Sequence, residues 1–457
     1  MTRLTAGAIA ERVNGGHMSA RAVAEDALAR VERGDGALNA FAHLDPALTL
    51  AEADAVDARR AAGERMPLTG VPVVIKDNIW VAGRPITQGS RLLADFIPPC
   101  DAVGVTRLRS AGAVILGIGA CSEFACKGVT TTPLHGVTRN PFDPALTPGG
   151  SSGGPASAVA AGFAPLALGT DAGGSSRRPP AHTGTLGMKP SQDAIPYGPG
   201  FAEPFASLSV LAPIAACVAD VALMFDALTG TASTPSPSGS GLRIALAPTL
   251  GLDVVMDDAA RDAVAAAAEV MRAGGHEVID AAPFWPGGLD PAALMPLQWA
   301  GLAAIHGDSW NATPDLFDPD IGVQIAKGLA LSGVDVARAL QAGAVTRRIL
   351  REFLDRFDMI VSATTPCAAW PVDLPGPATI GGRPAEPRDH AAFTAQFNHA
   401  GLPALSLPCG RTPAGLPLGL QVGAGFGRDR ALLAAAARFE TDFARAGLTP
   451  DPSTTNE

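Results

Sequence analysis

The chain has 457 residues, of which 47% are hydrophobic and 17% are charged, and its formal net charge is −10. This composition provides enough apolar side chains for a large core and excludes an intrinsically disordered chain. The acidic balance, without any block of Lys and Arg, also argues against a nucleic-acid partner, because a phosphate backbone needs a concentrated basic surface.

The cysteines and the N-terminus indicate the compartment. The six cysteines are scattered along the chain and form no C-x-x-C pair, which is typical of reduced thiols in a cytoplasmic protein. Charged residues interrupt the N-terminus at Arg3, Glu11 and Arg12, so we expect no signal peptide. The uncharged run 144–170 contains too much Gly, Ser and Pro to span a membrane. We therefore predict a cytoplasmic protein without a membrane partner.

Helical and strand patterns alternate through the first half of the chain. Apolar residues between Ser19 and Ala62 follow helical spacing, with Ser19 as N-cap, and predict two amphipathic helices. The β-branched run 71–75 predicts a buried strand that ends at Lys76. Further predicted elements are a helix over 103–110, a strand over 113–116, a helix over 156–161 and a strand over 166–168.

The second half continues the same alternation after a linker candidate. Segment 231–241 reads TASTPSPSGSG, a composition typical of a surface linker. Because strands and helices occur on both sides of it, we predict one α/β domain over 1–457. Its parts are N-terminal helices (about 1–65), a first part of the core (about 66–230), the linker (231–241) and the rest of the core (about 242–457). The later predicted elements are strands over 242–246, 277–279, 359–362 and 404–407 and helices over 257–273 and 430–446.

The first candidate functional segment is the hexapeptide GGSSGG at 149–154. As a flexible linker it would be out of place between a proline-rich turn and an Ala-rich helix, so its glycines favour close backbone approach at a site. It also matches G-x-S-x-G, the nucleophile elbow of α/β-hydrolases. That elbow follows a strand, whereas segment 140–148 has three prolines. It would also need a histidine, for which His390 and His399 are available.

The second segment is GTDAGGSSRRPP at 169–180. Gly169 and Gly174 have the spacing of a phosphate-binding loop, but Ser175 stands where that loop needs its lysine. What remains is a glycine-rich turn whose N–H groups lead to a serine, as an oxyanion hole requires. A plain tight turn is the equally weighted alternative.

Lys76 is the third candidate. A lysine at the end of a strand is usually a surface residue that extends its charge into water. A desolvated lysine can instead serve as the base for a serine nucleophile that lacks a histidine.

Together these segments resemble the amidase signature family. VVIKDN around Lys76, GGSSGG and GTDAGGSSRRPPAHTGTLGMKPS occur in the family's order. The resemblance implies a mixed central sheet covered by helices on both faces. Supporting segments are LNAF (38–41), TQGS (87–90), SEFACKG (122–128), RNPFD (139–143), NHAGLPALSLPCG (398–410) and GLPLGLQVG (415–423).

The resemblance also implies a Ser–cis-Ser–Lys triad. Ser175 would be the nucleophile, Ser151 would bridge after a cis peptide bond from Gly150, and neutral Lys76 would be the base. Lys76 then needs a pKa about 2–3 units below 10.4, which burial can supply. Asp77 would oppose this shift unless strand alternation turns its carboxylate to the other face.

Further residues receive roles from the same resemblance. The oxyanion hole would consist of the N–H groups of Ala172, Gly173, Gly174 and Ser175. Four residues would support the triad: Ser152 and Thr170 as hydrogen-bonding hydroxyls, and Asp171 and Arg177 as an ion pair that shapes the loop. The sequence departs from the family at Ser176 and Arg178, where apolar residues are common, and at Thr183, where a cysteine is common.

The implied activity is hydrolysis of a small or aryl amide through an acyl-enzyme on Ser175, with release of ammonia or an amine. Alternatives within the family are a ureide- or malonamate-type hydrolase and the glutaminase subunit of an amidotransferase. A tyrosine in the glutamine pocket is expected of that subunit, and Tyr197 is the single tyrosine here. Outside the family, a ligand-binding protein with glycine-rich loops or an α/β-hydrolase-type esterase remain open.

The expected reactants are the amide and water, with no cofactor and no metal, because no cluster of ligands has metal-site spacing. We predict a homodimer and leave a partner subunit open. The aromatic residues of the middle region belong either to the core or to the roof of an apolar pocket; they are Phe284, Trp285, Trp299 and Trp310.

Overall fold

A computed structural model describes residues 4–231, 241–287, 289 and 291–449. The strands in chain order are β1 (Phe41–His43), β2 (Pro72–Lys76), β3 (Val114–Gly119), β4 (Thr131–Thr132), β5 (Gly136–Val137), β6 (Leu166–Asp171), β7 (Leu186–Lys189), β8 (Val210–Ala215), β9 (Arg243–Leu246), β10 (Glu277–Asp280), β11 (Met359–Ala363), β12 (Thr379–Ile380), β13 (Arg383–Pro384), β14 (Ala404–Arg411) and β15 (Pro417–Ala424).

The helices are α1 (Ala6–Asn14), α2 (Ala20–Leu38), α3 (Pro46–Ala61), α4 (Val103–Ser110), α5 (Gly153–Ala160), α6 (Arg178–Thr183), α7 (Val218–Thr229), α8 (Asp258–Ala273), α9 (Met295–Ala312), α10 (Pro319–Leu329), α11 (Gly333–Leu354), α12 (Ala395–Ala400) and α13 (Asp429–Arg445). Every element predicted from the sequence pattern is present. α2 begins as predicted, with the Ser19 hydroxyl accepting the Ala22 N–H.

One large mixed sheet organises the fold. Within the described residues it has eleven strands in the order β1-β3-β2-β6-β8-β7-β14-β15-β11-β9-β10. β2 pairs in parallel with both β3 and β6, whereas β6 and β8 are antiparallel. The strands come from both sides of the linker candidate, as a single domain requires. The domain division itself stays a prediction, and linker residues 232–240 lie outside the described part.

Both faces of this sheet are covered. Along β2, Val73 and Ile75 join the larger apolar cluster, while Val74 joins a second cluster on the opposite face. Successive strand residues point to opposite faces, so a strand without polar alternation is buried on both sides. The second cluster includes α2 and α5 residues, and the larger one includes α4 and α7 residues. The predicted fold class is confirmed.

α5 begins earlier than the sequence pattern predicts. The helix starts at Gly153 rather than at Ala156, although glycine is a poor helix former. A Cβ on Gly154 would lie 2.4 Å from both the Ala120 nitrogen and the Ala40 carbonyl oxygen. The glycines therefore allow the first turn of α5 to press against the backbone of the sheet.

Candidate active site

Three separate segments of the sequence meet at one edge of the sheet. β2 and β6 are parallel neighbours, so their carboxyl ends, at Lys76 and Asp171, lie at the same edge. α5 begins directly after Ser152, whose N–H donates to the Ser175 carbonyl oxygen at 3.3 Å. The strand end and both glycine-rich segments therefore form one site.

The Lys76 side chain is fully buried in this site. Its Nζ donates to Ser151 Oγ at 2.7 Å and to Thr170 Oγ1 at 2.9 Å. Burial is the main cause that lowers the pKa of Lys76 from 10.5 to about 8. About a tenth of the amine is therefore uncharged at pH 7, far more than for a lysine of ordinary pKa.

Asp77 does not oppose this shift. Its carboxylate accepts the N–H groups of Thr87 at 2.7 Å and Gly89 at 2.9 Å. Adjacent strand residues point to opposite faces, so Asp77 serves the loop after β2 while Lys76 faces the serines. The side chains of Lys76 and Asp77 thus point to opposite faces, as the alternation along a strand predicts.

The backbone around Ser151 is tightly enclosed. The Gly150–Ser151 peptide bond is cis, and Ser151 is fully buried. A Cβ on Gly150 would lie 2.8 Å from main-chain atoms of both Gly128 and Val129, so only glycine fits there. This close packing of the segment holds Ser151 Oγ against Lys76 Nζ.

Ser175 faces a cavity of about 660 Å³. Among the described residues, its hydroxyl forms no hydrogen bond, and none joins it to Ser151 Oγ. Bonds of this kind are often long in a free enzyme and shorten when the substrate is bound. Among the described residues of segments 149–154 and 169–180, Ser175 is the only serine or threonine that lines the cavity.

The predicted oxyanion hole needs one correction. The N–H groups of Ala172, Gly173 and Ser175 have no hydrogen-bond partner in the described part of the chain, and all three residues line the cavity. The Gly174 N–H instead donates to Asp171 Oδ1 at 2.7 Å. Gly174 is therefore occupied in holding the loop, and three donors are available.

Asp171 and Arg177 form a fully buried ion pair at 2.9 Å. Burial alone would raise the pKa of Asp171, but the Arg177 charge and several hydrogen bonds hold it well below its usual range. Arg177 also donates to Thr394 O at 2.9 Å, Asn398 Oδ1 at 2.6 Å and Gln421 Oε1 at 2.7 Å. The pair thus ties the Ser175 loop to α12 and β15.

The remaining hydroxyls form a chain behind the serines. Ser152 Oγ lies 3.2 Å from Ser176 Oγ, which donates to the Thr170 carbonyl oxygen at 3.0 Å. Thr170 Oγ1 accepts from Asn78 Nδ2 at 3.0 Å in addition to Lys76. Ser152 and Thr170 therefore lie beside the Lys76–Ser151 pair, and Ser176 fills a polar position there.

The two histidines considered for an α/β-hydrolase mechanism are not bonded to the serines in the described part of the chain, although His399 lines the same cavity as Ser175. No hydrogen bond joins His390 or His399 to Ser151 or Ser175 within the described residues. Burial lowers the pKa of His399 to about 4 and that of His390 well below its usual value. His390 packs against Trp370 with 4.6 Å between ring centroids. As far as the described residues show, no Ser–His pair is part of this site.

Of the four aromatic residues singled out in the middle region, only Trp299 lines the cavity. Phe284 is 83% exposed, and the Trp285 indole donates to the Leu250 carbonyl oxygen at 2.7 Å. Trp310 packs against a separate apolar cluster. Of the two alternatives left open for these residues, a place in the cavity wall therefore applies to Trp299 alone of the four, and Phe205 lines the cavity beside it.

A model of the Amidase family matches residues 22–433. The chain belongs to the amidase family. It is 36% identical to a glutamyl-tRNA(Gln) amidotransferase subunit of Thermus thermophilus, over 96% of this chain and 97% of that protein. The corresponding protein of Salinispora arenicola is also 36% identical, over 92% of this chain and 94% of its own.

Solved amidase structures have the same fold. A bacterial aryl acylamidase of the amidase signature family has a TM-score of 0.89 at 25% identity and covers 99% of this chain and 98% of its own. The peptide amidase of Stenotrophomonas maltophilia has a TM-score of 0.81 at 26% identity, covering 100% and 99%. The predictions of the family, the fold and an amide-directed enzyme are confirmed by these matches.

Sequence reasoning missed several residues of this amidase site. Asn398 and Gln421 lie in segments quoted only as supporting resemblance, and both bind Arg177. Thr130 donates to the Gly149 carbonyl oxygen at 2.9 Å and accepts the Gly153 N–H at 3.0 Å. No local pattern indicates these partners, because each lies far from its contact in the sequence.

Neither a metal-binding cluster nor a membrane-spanning helix occurs among the described residues. No group of three or more His, Cys, Asp and Glu side chains there could hold a metal ion. No described helix is long and apolar enough to cross a membrane.

Proposed function

We propose that this amidase-family chain hydrolyses a carboxylic amide through a covalent acyl-enzyme on Ser175. The observation that carries the proposal is the 2.7 Å contact between Lys76 Nζ and Ser151 Oγ in a fully buried setting. A buried amine with a lowered pKa is a suitable general base, and a second hydroxyl beside it can pass a proton onward.

The proposed relay follows from the order of the groups. Neutral Lys76 takes a proton from Ser151, which takes one from Ser175 as Ser175 Oγ attacks the amide carbonyl carbon. The developing oxyanion is stabilised by the free N–H groups of Ala172, Gly173 and Ser175.

The relay then runs in reverse and delivers the proton to the departing nitrogen as the C–N bond breaks. Water attacks the acyl-enzyme by the same route, so the net reaction converts amide and water to carboxylic acid and amine. Ser152, Thr170 and the Asp171–Arg177 pair are proposed as positioning residues.

A serine-directed phosphonylating probe tests this proposal. We expect intact-mass and peptide analysis to place one adduct on Ser175 in the wild type and none in Ser175→Ala. Ser176→Ala is the matched control, because its hydroxyl lies in the same loop but binds the Thr170 carbonyl oxygen; it should still be labelled. An adduct at any other residue would contradict the proposed nucleophile.

An amidotransferase subunit is a second candidate, favoured by the 36% identity over nearly the whole chain. Against it, Tyr197 is not among the residues that line the cavity. Glutamine hydrolysis by the purified chain, compared with hydrolysis of simple alkyl and aryl amides, separates the two. We expect the simple amides to be hydrolysed without a partner subunit.

Assembly and location are part of the proposal. We propose a homodimer, for which light scattering should give twice the mass of one chain. A cytoplasmic location is supported by the six cysteines, which are all free thiols. We also propose that no cofactor or metal takes part.

A further inference from the structure

The hydroxyl of Thr394 is bound to the loop that carries Ser175. Thr394 Oγ1 donates to the Gly173 carbonyl oxygen at 2.7 Å, from a position 221 residues further along the chain. The Thr394 side chain is fully buried, and a Cβ on Gly174 would collide with it. A distant segment therefore packs against this loop and bonds to its main chain.

Thr394 does not use its hydroxyl as a threonine at the start of a helix commonly does. It is the N-cap residue of α12, a position from which a threonine side chain usually accepts an N–H of the first helical turn. The Thr394 side chain forms no such bond to the described residues. Its hydroxyl is bound to the Gly173 carbonyl oxygen instead.

The backbone at Thr394 is itself held by two bonds. The Thr394 carbonyl oxygen accepts from Arg177 Nη1 at 2.9 Å, and the neighbouring Phe393 carbonyl oxygen accepts from Gln421 Nε2 at 2.7 Å. Arg177 also binds Gln421 Oε1. The network around the Asp171–Arg177 pair therefore fixes the place from which the Thr394 hydroxyl reaches the loop.

The peptide unit between Gly173 and Gly174 is bound at both ends. Its carbonyl oxygen accepts from Thr394, and its N–H, on Gly174, donates to Asp171 Oδ1 at 2.7 Å. Because a peptide unit is planar, these two bonds fix the orientation of the whole plane. This restraint matters here because glycine backbone is otherwise free to adopt many conformations, and Gly174 has a φ of 112°.

This fixed peptide unit lies between two of the free N–H donors. The Gly173 N–H precedes it and the Ser175 N–H follows it, and both residues line the cavity. Rotation of the plane would change ψ of Gly173 and φ of Gly174, and would turn the two donors relative to each other. An oxyanion hole depends on donors that already point at the position of the oxyanion. A bond that fixes this plane therefore bears on catalysis.

We propose that Thr394 is a positioning residue of the oxyanion hole. Its hydroxyl holds the 173–174 peptide unit so that the N–H groups of Gly173 and Ser175 point into the cavity. This inference rests on the proposed function. Thr394 is not among the residues that line the cavity, so it acts through the main chain of the loop and takes part in no proton transfer.

Thr394→Val and Thr394→Ser separate the hydroxyl from the shape of the side chain. Valine has nearly the same shape but cannot donate, whereas serine keeps the donor. For an amide that the wild type hydrolyses, we expect Thr394→Val to lower kcat by about 10- to 100-fold, because loss of a direct oxyanion donor costs about 100- to 1000-fold and Thr394 acts one step away. KM should stay nearly unchanged, since the lost interaction serves the transition state. Thr394→Ser should keep most of the wild-type kcat.

The rate at which the phosphonylating probe labels Ser175 gives a second measurement, which needs no amide substrate. The phosphoryl oxygen of the probe gains negative charge as Ser175 Oγ attacks phosphorus, so it needs the same donors. We expect Thr394→Val to slow labelling by at least about 10-fold.

Thr138→Val is the matched control. Thr138 is also buried, and its hydroxyl donates to a main-chain carbonyl oxygen, that of Asn39, at the same distance of 2.7 Å. The variant therefore loses a similar bond away from the Ser175 loop. We expect it to be labelled, and to hydrolyse amides, at the wild-type rate.

Thr394→Ala keeps the test decisive if valine lowers the melting temperature below that of the assay. Alanine removes the hydroxyl without placing a methyl group against the Gly173 carbonyl oxygen, and we expect a loss in the same direction. The inference is overturned if a folded Thr394→Val or Thr394→Ala variant keeps the wild-type kcat and labelling rate, or if Thr394→Ser loses as much as Thr394→Val. A raised KM at unchanged kcat would also overturn it.

Failure of the proposed function has a different result. In that case the wild type itself is not labelled on Ser175 and hydrolyses no amide. If the wild type is labelled but no amide in the panel is hydrolysed, the labelling rates of the variants decide on Thr394.

Discussion

Replacing Lys76 by methionine separates its catalytic value from its cost to stability. Methionine has a similar length and is apolar, so Lys76→Met removes the proposed base without opening a large cavity. We expect kcat to fall by at least about 100-fold, since a positioned general base contributes that much or more. We expect the folded state to gain stability at the same time.

The size of this gain follows from the lowered pKa. A fall from 10.5 to about 8 corresponds to about 3 kcal/mol against the charged amine in the folded state. Methionine removes this cost but leaves Ser151 Oγ without its donor, which costs about 1–2 kcal/mol. Thr170 Oγ1 keeps its bond from Asn78. The variant should therefore be more stable than the wild type by about 1–2 kcal/mol at pH 7.

The pH dependence gives the clearer signal. Between about pH 8 and 10.5 the unfolded chain holds a proton on Lys76 that the folded chain has lost. Wild-type stability therefore rises with pH across this range relative to the variant. The free-energy difference between the two proteins should shift by about 3 kcal/mol from pH 7 to pH 10.5.

Urea denaturation of both proteins at several pH values measures this shift. Lys189→Met is the matched control, because Lys189 is another fully buried lysine, with its Nζ on the Pro190 carbonyl oxygen at 2.6 Å. Burial lowers its pKa to about 7, so its removal should show the same sign of pH dependence while turnover persists. A pH-independent difference between Lys76→Met and the wild type, or retained turnover in that variant, would refute the reasoning.

Three further outcomes are expected. Gly154→Ala should lower the free energy of unfolding by more than about 2 kcal/mol, because its Cβ would lie 2.4 Å from the Ala120 nitrogen; Gly36→Ala, with open space at its Cβ, is the control and should be neutral or stabilising in the same thermal melts. Arg177→Met should cost about 3–5 kcal/mol, because it leaves the Asp171 charge buried without its ion partner; adding Asp171→Asn should recover part of that loss in urea denaturation, and the absence of any recovery would argue against the ion pair as the cause. Dialysis against a chelator should leave amide turnover unchanged, and a loss that zinc or magnesium restores would contradict a metal-free mechanism.

Local sequence patterns were enough to predict the main elements and the family. Apolar residues at helical spacing are a local property, so α8 and α13 could be predicted from their own residues. Lys76 could be singled out for the same reason, because a β-branched run that ends in a lysine is visible without knowledge of its neighbours. The order of the glycine-rich segments was enough to identify the family.

Which groups are free to act depends instead on tertiary contacts. Gly174 and Ser175 are adjacent in one glycine-rich turn, yet the Gly174 N–H is taken by Asp171 and the Ser175 N–H has no partner among the described residues. Arg177 and Arg178 are adjacent in sequence, but Arg177 is paired with Asp171, whereas Arg178 has no acid within salt-bridge distance in the described part of the chain and its buried Nε has no hydrogen-bond partner there. These differences depend on partners from distant segments, such as Asn398 and Gln421. Local patterns carry no record of them, because hydrogen bonding and burial are set by what the folded chain brings into contact.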